Sequence, residues 1–177
     1  MFYNELVLVF VGGLLIGSFL NVVIFRINDL RSLIRGRSEC LRCKHKLLWH
    51  DLIPLISFLL LQARCRYCKK KISWQYPLVE LGTALVFCLI YSIFGSTWSF
   101  LFYSLIFSLL IVVLVHDLRT QLIPEEFAWA ALIISAIGSW YFGGLGLGST
   151  LLGAILGGGL FAVLVLVSRE KWMGAGD

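Results

Sequence analysis

Long apolar runs are the feature that most restricts what this chain can fold into. A helix that crosses a bilayer needs about 20 mostly apolar residues. Five segments of roughly this kind occur, at 6–25, 78–94, 99–116, 126–142 and 145–167. Hydrophobic residues make up 59% of the 177 residues, whereas a soluble domain is nearer half apolar. The sequence therefore predicts an all-α polytopic membrane protein, with about five transmembrane helices in a lipid bilayer.

The basic residues are concentrated outside these apolar runs. Twelve of the 15 Lys and Arg residues lie between Arg26 and Lys71, and the others are Arg119, Arg169 and Lys171. The positive-inside rule places such clusters in the cytoplasm, and with five spans all of them fall near that face. We therefore expect a large cytoplasmic loop after the first helix, and no nucleic-acid partner in spite of the net charge of +5.

One further apolar run, at 52–61, is too short to cross a membrane. It has ten residues and contains Pro54, whereas a span needs about 20. The run is predicted to be an interfacial or re-entrant piece, or the apolar support of the cytoplasmic loop.

Two CxxC pairs in this loop have the spacing of a metal site, with 21 residues between them: Cys40, Cys43, Cys65 and Cys68. Four thiolates suit a tetrahedral zinc ion, or less well an iron–sulfur cluster. A closed four-cysteine site leaves no open position for chemistry, so zinc here would be structural. Two disulfides are the alternative, which a reducing cytoplasm disfavours. His45 and His50 are nearby substitutes, but the complete pairs do not need them.

Two carboxylates lie at the edge of the predicted membrane slab, on the same face. Asp117 follows the third apolar run, and Asp177 closes the sequence Gly-Ala-Gly-Asp after the fifth. Two carboxylates in contact do not easily both ionise, so one keeps a proton while the other activates water. That pairing suits peptide hydrolysis. The alternative for Asp117 is a solvated turn residue paired with Arg119.

Several motifs, taken together and in order, resemble the type IV prepilin peptidases, also called prepilin leader peptidase/N-methyltransferases. Residues 17–26 resemble the first-helix signature of that family. The CxxC pairs follow, with residues 49–55 between them, and then the segment 65–81. The catalytic aspartates of the family lie in a D…IP segment and a GxGD segment, which correspond to Asp117 and Asp177. The resemblance covers nearly the whole chain.

The resemblance implies an aspartic endopeptidase of the bacterial inner (plasma) membrane, with its active site facing the cytoplasm. Such enzymes cut the basic leader from type IV prepilins and pseudopilins, and many then methylate the new N-terminal amine with S-adenosylmethionine. The implied parts are a first transmembrane helix (1–26), a zinc-ribbon-like insert associated with methyl transfer (27–77) and a peptidase core (78–177). Candidates for cofactor or substrate contacts, or equally for helix–helix hydrogen bonds, are Asn21, Arg26 and Glu80.

Two features depart from the family pattern. His116 stands where an apolar residue is expected before the aspartate. The chain also stops at Asp177, whereas family members continue with further helices, so we expect it to be C-terminally truncated and the activity of this polypeptide to be uncertain. Two alternatives stay open: a non-catalytic zinc-ribbon membrane scaffold, and a peptidase without methyltransferase activity.

Overall fold

The computed structural model describes residues 2–27, 36–95, 97–141 and 147–168, and it is helical with no β-strand in these segments. The predicted all-α fold is confirmed. One 3₁₀ turn, Trp49–Leu52, interrupts the loop after the first helix. The α-helices within the described segments are α1 (Phe2–Phe25), α2 (Ile56–Leu60), α3 (Gln75–Phe94), α4 (Trp98–Thr120), α5 (Glu125–Tyr141) and α6 (Leu147–Ser168).

Each predicted span coincides with one of the five long helices. Within the described part of the chain, three of these helices are long and apolar enough to cross a bilayer: α1, α3 and α4. Helix α5 has 17 residues, which is at the short end of the range for a span. A multi-pass membrane protein is therefore the fold class, with three spans supported by length and composition.

The predicted ends of the helices differ from the observed ends by at most four residues. The third span was placed at 99–116, but α4 continues to Thr120. Apolarity marks the part of a helix that lipid covers, and a helix extends past it until the backbone is broken. Here the break is Gln121, whose φ is +55°. Asp117 consequently lies in the last turn of α4.

The chain divides into two compact units, Met1–Val115 and His116–Asp177. In the first unit, α1 packs against α3 at unusually short distance through two glycines. A Cβ added at Gly13 would lie 2.5 Å from the Cα of Ala84, and one added at Gly17 would lie 2.7 Å from the Cα of Glu80. Glycines four residues apart allow such backbone contact between membrane helices. The spacing Gly13-xxx-Gly17 therefore places α1 on α3.

Hydrogen bonds at both ends fix the antiparallel register of α1 and α3. Asn21 is 1% exposed; its Nδ2 donates to the Tyr76 carbonyl at 3.2 Å, and its Oδ1 accepts from Gln75 at 3.4 Å. At the opposite end the Tyr91 hydroxyl donates to the Glu5 carboxylate. Buried polar groups in an apolar medium need such partners, so these pairs favour one alignment of the two helices.

The short apolar run at 52–61 folds back onto the start of α3. It forms the end of the 3₁₀ turn and then α2, and Phe58 of α2 is buried against Trp74 with ring centroids 5.1 Å apart. The Leu55 amide donates to Glu80 Oε2 at 2.9 Å. The run thus belongs to the first unit and is held beside the beginning of α3.

Candidate metal centre and candidate peptidase site

The two CxxC segments form a pair of equivalent loops, which we call the knuckles (39–47 and 64–72). The backbone hydrogen bonds of the first recur 25 residues later in the second. The Cys40 amide donates to the His45 carbonyl at 3.0 Å, and the Cys65 amide donates to the Lys70 carbonyl at 2.9 Å. Lys44 and Lys69 both have φ of +57°. This backbone turns each pair of thiols toward a common point.

The four sulfur atoms meet at that point, within 4.8 Å of one another. The Sγ atoms of Cys40 and Cys68 are 3.9 Å apart. Zinc bound by thiolates at about 2.3 Å would place neighbouring sulfurs about 3.8 Å apart in a tetrahedron. None of the five cysteines forms a disulfide. The donor set and its spacing therefore fit a four-thiolate zinc ion, and His45 and His50 lie outside the group.

The thiols of the cluster differ in acidity. Burial by itself would raise the pKa of Cys40, but backbone amides of Cys43 and Arg42 point at its sulfur and outweigh it, so this pKa falls to about 7. The pKa of Cys43 rises to about 11, because desolvation and the neighbouring sulfurs outweigh the hydrogen bond from the His45 amide. A metal that binds here must displace the protons that the thiols still carry.

Asp51 ties the interval between the knuckles to the second knuckle. Its side chain is only 2% exposed, and it accepts a hydrogen bond from Arg66 Nε at 2.7 Å. The Tyr67 hydroxyl at 3.4 Å and the Leu48 amide at 3.3 Å also donate to it. Burial would raise the pKa of Asp51, but the Arg66 hydrogen bond and the Leu48 amide hold it below its usual value. Sequence reasoning missed this role, because its partners lie up to 16 residues away.

The peptidase candidate Asp117 lies in the last turn of α4, in the second unit. Its side chain is half-buried. Among the residues that the structure describes, its carboxylate makes neither a hydrogen bond nor an ion pair, so the alternative pairing with Arg119 is not observed. The backbone carbonyl of Asp117 accepts from the Gln121 amide at 2.7 Å, which closes the helix.

His116 holds the loop that follows Asp117. It is 8% exposed, and its Nδ1 lies 2.9 Å from the Leu122 carbonyl. A carbonyl can only accept, so Nδ1 carries the proton. The Thr120 hydroxyl also packs here, 3.2 Å from the same nitrogen. The loop leads to Pro124, whose carbonyl receives the first amides of α5. His116 therefore stabilises the loop that follows Asp117, a role that its sequence position alone did not reveal.

The other predicted site residues have different outcomes. Asp177 lies outside the described residues, so its pairing with Asp117 stays a prediction. Arg26 donates to the carbonyls of Gly36 and Arg37 at 3.2 and 2.9 Å. Asn21 is engaged with α3 as described above, and Glu80 holds the Leu55 amide. Of the two roles considered for these three polar residues, the structure shows hydrogen bonds to helices and loops of the protein itself.

The structure is that of a multi-pass membrane protein. It combines two closely packed apolar helices, a four-cysteine insert and an aspartate at the end of a third span. Two family models match it. The Bacterial Peptidase A24 N-terminal domain matches residues 11–94, and the Type IV leader peptidase family matches residues 104–177. The chain belongs to the type IV leader peptidase family. Asp117 lies in the second matched region.

Curated relatives carry the corresponding names. The chain is 38% identical over 175 residues to the prepilin leader peptidase/N-methyltransferase of Myxococcus xanthus, covering 97% of this chain and 52% of that protein. It is 39% identical over 152 residues to the type 4 prepilin-like proteins leader peptide-processing enzyme of Escherichia coli O78:H11, covering 76% and 56%. For the prepilin leader peptidase/N-methyltransferase of Bacillus subtilis the identity is 37% over 178 residues, covering 96% and 68%. The chain thus spans about half the length of the first two relatives. No solved structure matches the chain.

Proposed function

We propose that the chain is the membrane aspartic endopeptidase that removes the basic leader from type IV prepilins or pseudopilins. The observation that carries this proposal is the position of Asp117. It lies in the region that matches the Type IV leader peptidase family, at the end of a span, and no described residue neutralises its carboxylate. An ionisable group at the membrane edge, with no partner among the described residues, is expected to be functional.

In the proposed reaction, Asp117 and Asp177 share one proton. The ionised carboxylate takes a proton from water as the water oxygen attacks the scissile carbonyl carbon. The protonated carboxyl group donates to the leaving nitrogen as the C–N bond breaks. The resemblance of the GxGD segment to the family supports the choice of Asp177. We further propose the orientation: the basic residues favour a bacterial inner (plasma) membrane protein with both aspartates facing the cytoplasm.

The insert at 27–77 is proposed to hold one structural zinc ion, with a peptidase core at 78–177. The ligands would be the four knuckle cysteines, whose sulfurs already lie within 4.8 Å of one another. A zinc ion would lock the two knuckles together, and it would leave no coordination position for a substrate.

N-methylation of the new N-terminal residue is the second proposed activity. The names of the Myxococcus xanthus and Bacillus subtilis relatives join the two activities. S-adenosylmethionine would supply the methyl group. The described side chains do not identify its binding site, because Asn21 and Glu80 use their hydrogen bonds inside the first unit. We therefore assign no residue of this chain to that cofactor.

The test is an assay of leader removal from a prepilin in membranes, in which mass spectrometry detects the cleaved product. Since the chain spans about half the length of two relatives, the assay uses the 177-residue chain and a chimera that adds the unmatched part of the Bacillus subtilis relative. Asp117→Asn should abolish cleavage in whichever form is active. Glu126→Gln is the matched control, because Glu126 is an exposed carboxylate nine residues further on.

The outcomes separate the competing functions. Cleavage by the Asp117→Asn variant would show that the aspartate assignment is wrong. If neither wild-type form cleaves although both are helical and zinc-loaded, the zinc-ribbon scaffold becomes the better description. Methyl transfer to a pre-cleaved pilin distinguishes the bifunctional enzyme from a peptidase alone.

A further inference from the structure

The insert presents an apolar surface that the protein itself does not cover. Helix α2 and the residues around it carry large hydrophobic side chains with exposed fractions of 40% to 77%. We call this the α2 surface; its members are Trp49, Leu52, Ile56, Leu59 and Leu60. So many exposed apolar side chains close together in the sequence indicate an interaction site.

The opposite side of α2 is firmly attached to the protein. Phe58 is 7% exposed and packs on Trp74. The preceding residue, Leu55, has φ of +58°, which is uncommon for a residue other than glycine. Its amide is held by the Glu80 carboxylate at 2.9 Å. This bond fixes where α2 lies along α3.

The level of Glu80 along α3 brings α2 to the edge of the bilayer. Glu80 is the sixth residue of α3, so it lies about 7.5 Å along the axis from Gln75. The 20 residues of α3 span about 30 Å, which equals the thickness of the hydrocarbon core. The Leu55 amide is therefore at or inside the boundary between headgroups and acyl chains. A five-residue helix that starts there extends only about 8 Å further.

The composition around α2 matches that boundary. Tryptophan is enriched at membrane interfaces, where one edge of the ring is apolar and the other is wet. Exposed basic residues follow within eleven residues of Leu60 and can meet anionic headgroups; they are Arg64, Lys69, Lys70 and Lys71.

We propose that the α2 surface inserts into the headgroup–acyl boundary of the same membrane that α1 and α3 cross. The insert is then a monotopic element that lies on the bilayer beside its spanning helices. Its occupant is lipid, because the surface lies beside the start of α3, which is long and apolar enough to cross a bilayer, and is followed by exposed positive charge. The proposal concerns placement only, and it does not depend on the peptidase assignment.

Nitroxide accessibility tests the proposal. A keto amino acid replaces Leu60, and in a second variant Leu41, and each is coupled to a nitroxide. The protein is reconstituted in vesicles of phosphatidylethanolamine and phosphatidylglycerol. Leu41 is the matched control, because it is a leucine that is 54% exposed in the first knuckle. Unchanged helix content verifies that both variants fold.

A lipid-inserted Leu60 site collides often with oxygen and rarely with a water-soluble nickel chelate, because oxygen concentrates in acyl chains. We expect its oxygen-to-nickel ratio to exceed that of the Leu41 site several-fold. Equal ratios at both sites would place the α2 surface in water and overturn the proposal. Low collision with both reagents at the Leu60 site would also overturn it, since a second copy or another protein would then cover the surface.

Discussion

Replacing one glycine of α1 tests whether backbone contact holds the first unit together. A Cβ at position 13 would lie 2.5 Å from the Cα of Ala84. Carbon atoms in contact are about 3.5 to 4.0 Å apart, so α1 and α3 must separate locally by about 1 Å or more. Overpacking of this kind costs about 1 to 3 kcal/mol. We therefore expect Gly13→Ala to lower the free energy of unfolding of the helix pair by that amount.

Gly12 supplies the matched control within the same helix. A Cβ at Gly12 would meet no described atom within 4 Å, and both substitutions change the helix propensity equally. The difference between Gly12→Ala and Gly13→Ala therefore isolates the contact with α3. Unfolding by sodium dodecyl sulfate in mixed micelles, followed by circular dichroism, measures it. A Gly13→Ala variant as stable as Gly12→Ala would refute the close packing.

Three further predictions concern the knuckles and the loop after Asp117. Cys65→Ser should remove bound zinc, measured by metal analysis, whereas Cys88→Ser should retain it; equal zinc in both variants would exclude the knuckles as the site. Asp51→Asn should speed zinc release to a chelator by up to about tenfold, because it weakens a buried acceptor of three donors. Glu39→Gln removes only an exposed ion pair with Lys44, so it should change the rate of zinc release little. Similar release rates in the two variants would contradict the tie between Asp51 and the second knuckle. His116→Ala should weaken hydrogen-exchange protection of the loop and slow cleavage by about three- to tenfold, because one hydrogen bond of about 1 kcal/mol is lost. His116→Gln keeps an N–H donor, so it should recover part of the protection and part of the cleavage rate. Unchanged hydrogen exchange in the alanine variant would show that His116 does not position the loop.

The parts of the fold that sequence predicted are those with a local signal. Apolar runs located the five long helices, since lipid solvation acts on each segment independently. Two CxxC pairs likewise identified the cysteines that meet in the structure. The end of α4 was missed because it depends on the left-handed backbone of Gln121, which apolarity does not record. The Gly13-xxx-Gly17 spacing is a sequence pattern that predicts close helix packing, and the sequence analysis of α1 did not use it.

Long-range contacts account for most of what sequence could not predict. Asp51 meets Arg66, and Glu80 meets Leu55, across 15 and 25 residues respectively. No local sequence pattern identifies either partner, because the Asp51–Arg66 contact forms only when the insert folds, and the Glu80–Leu55 contact only when the insert packs on α3. His116 is a different case: its partner is six residues away, but the bond needs the turn at Gln121 to form.

Glu80 and Asp117, two carboxylates at the edge of this membrane protein, differ in the contacts that the structure describes for them. Both are acidic residues in apolar helices, and an intramembrane acid suggests function by default. Glu80 is 6% exposed, and its carboxylate accepts the amide of a strained residue. Its burial is thus explained by the loop that it holds. Asp117 is half-buried, and the described part of the chain offers its carboxylate no donor. The described contacts give Asp117 no structural role for its carboxylate, which is consistent with the proposed catalytic role, and the prepilin cleavage assay on Asp117→Asn tests that role directly.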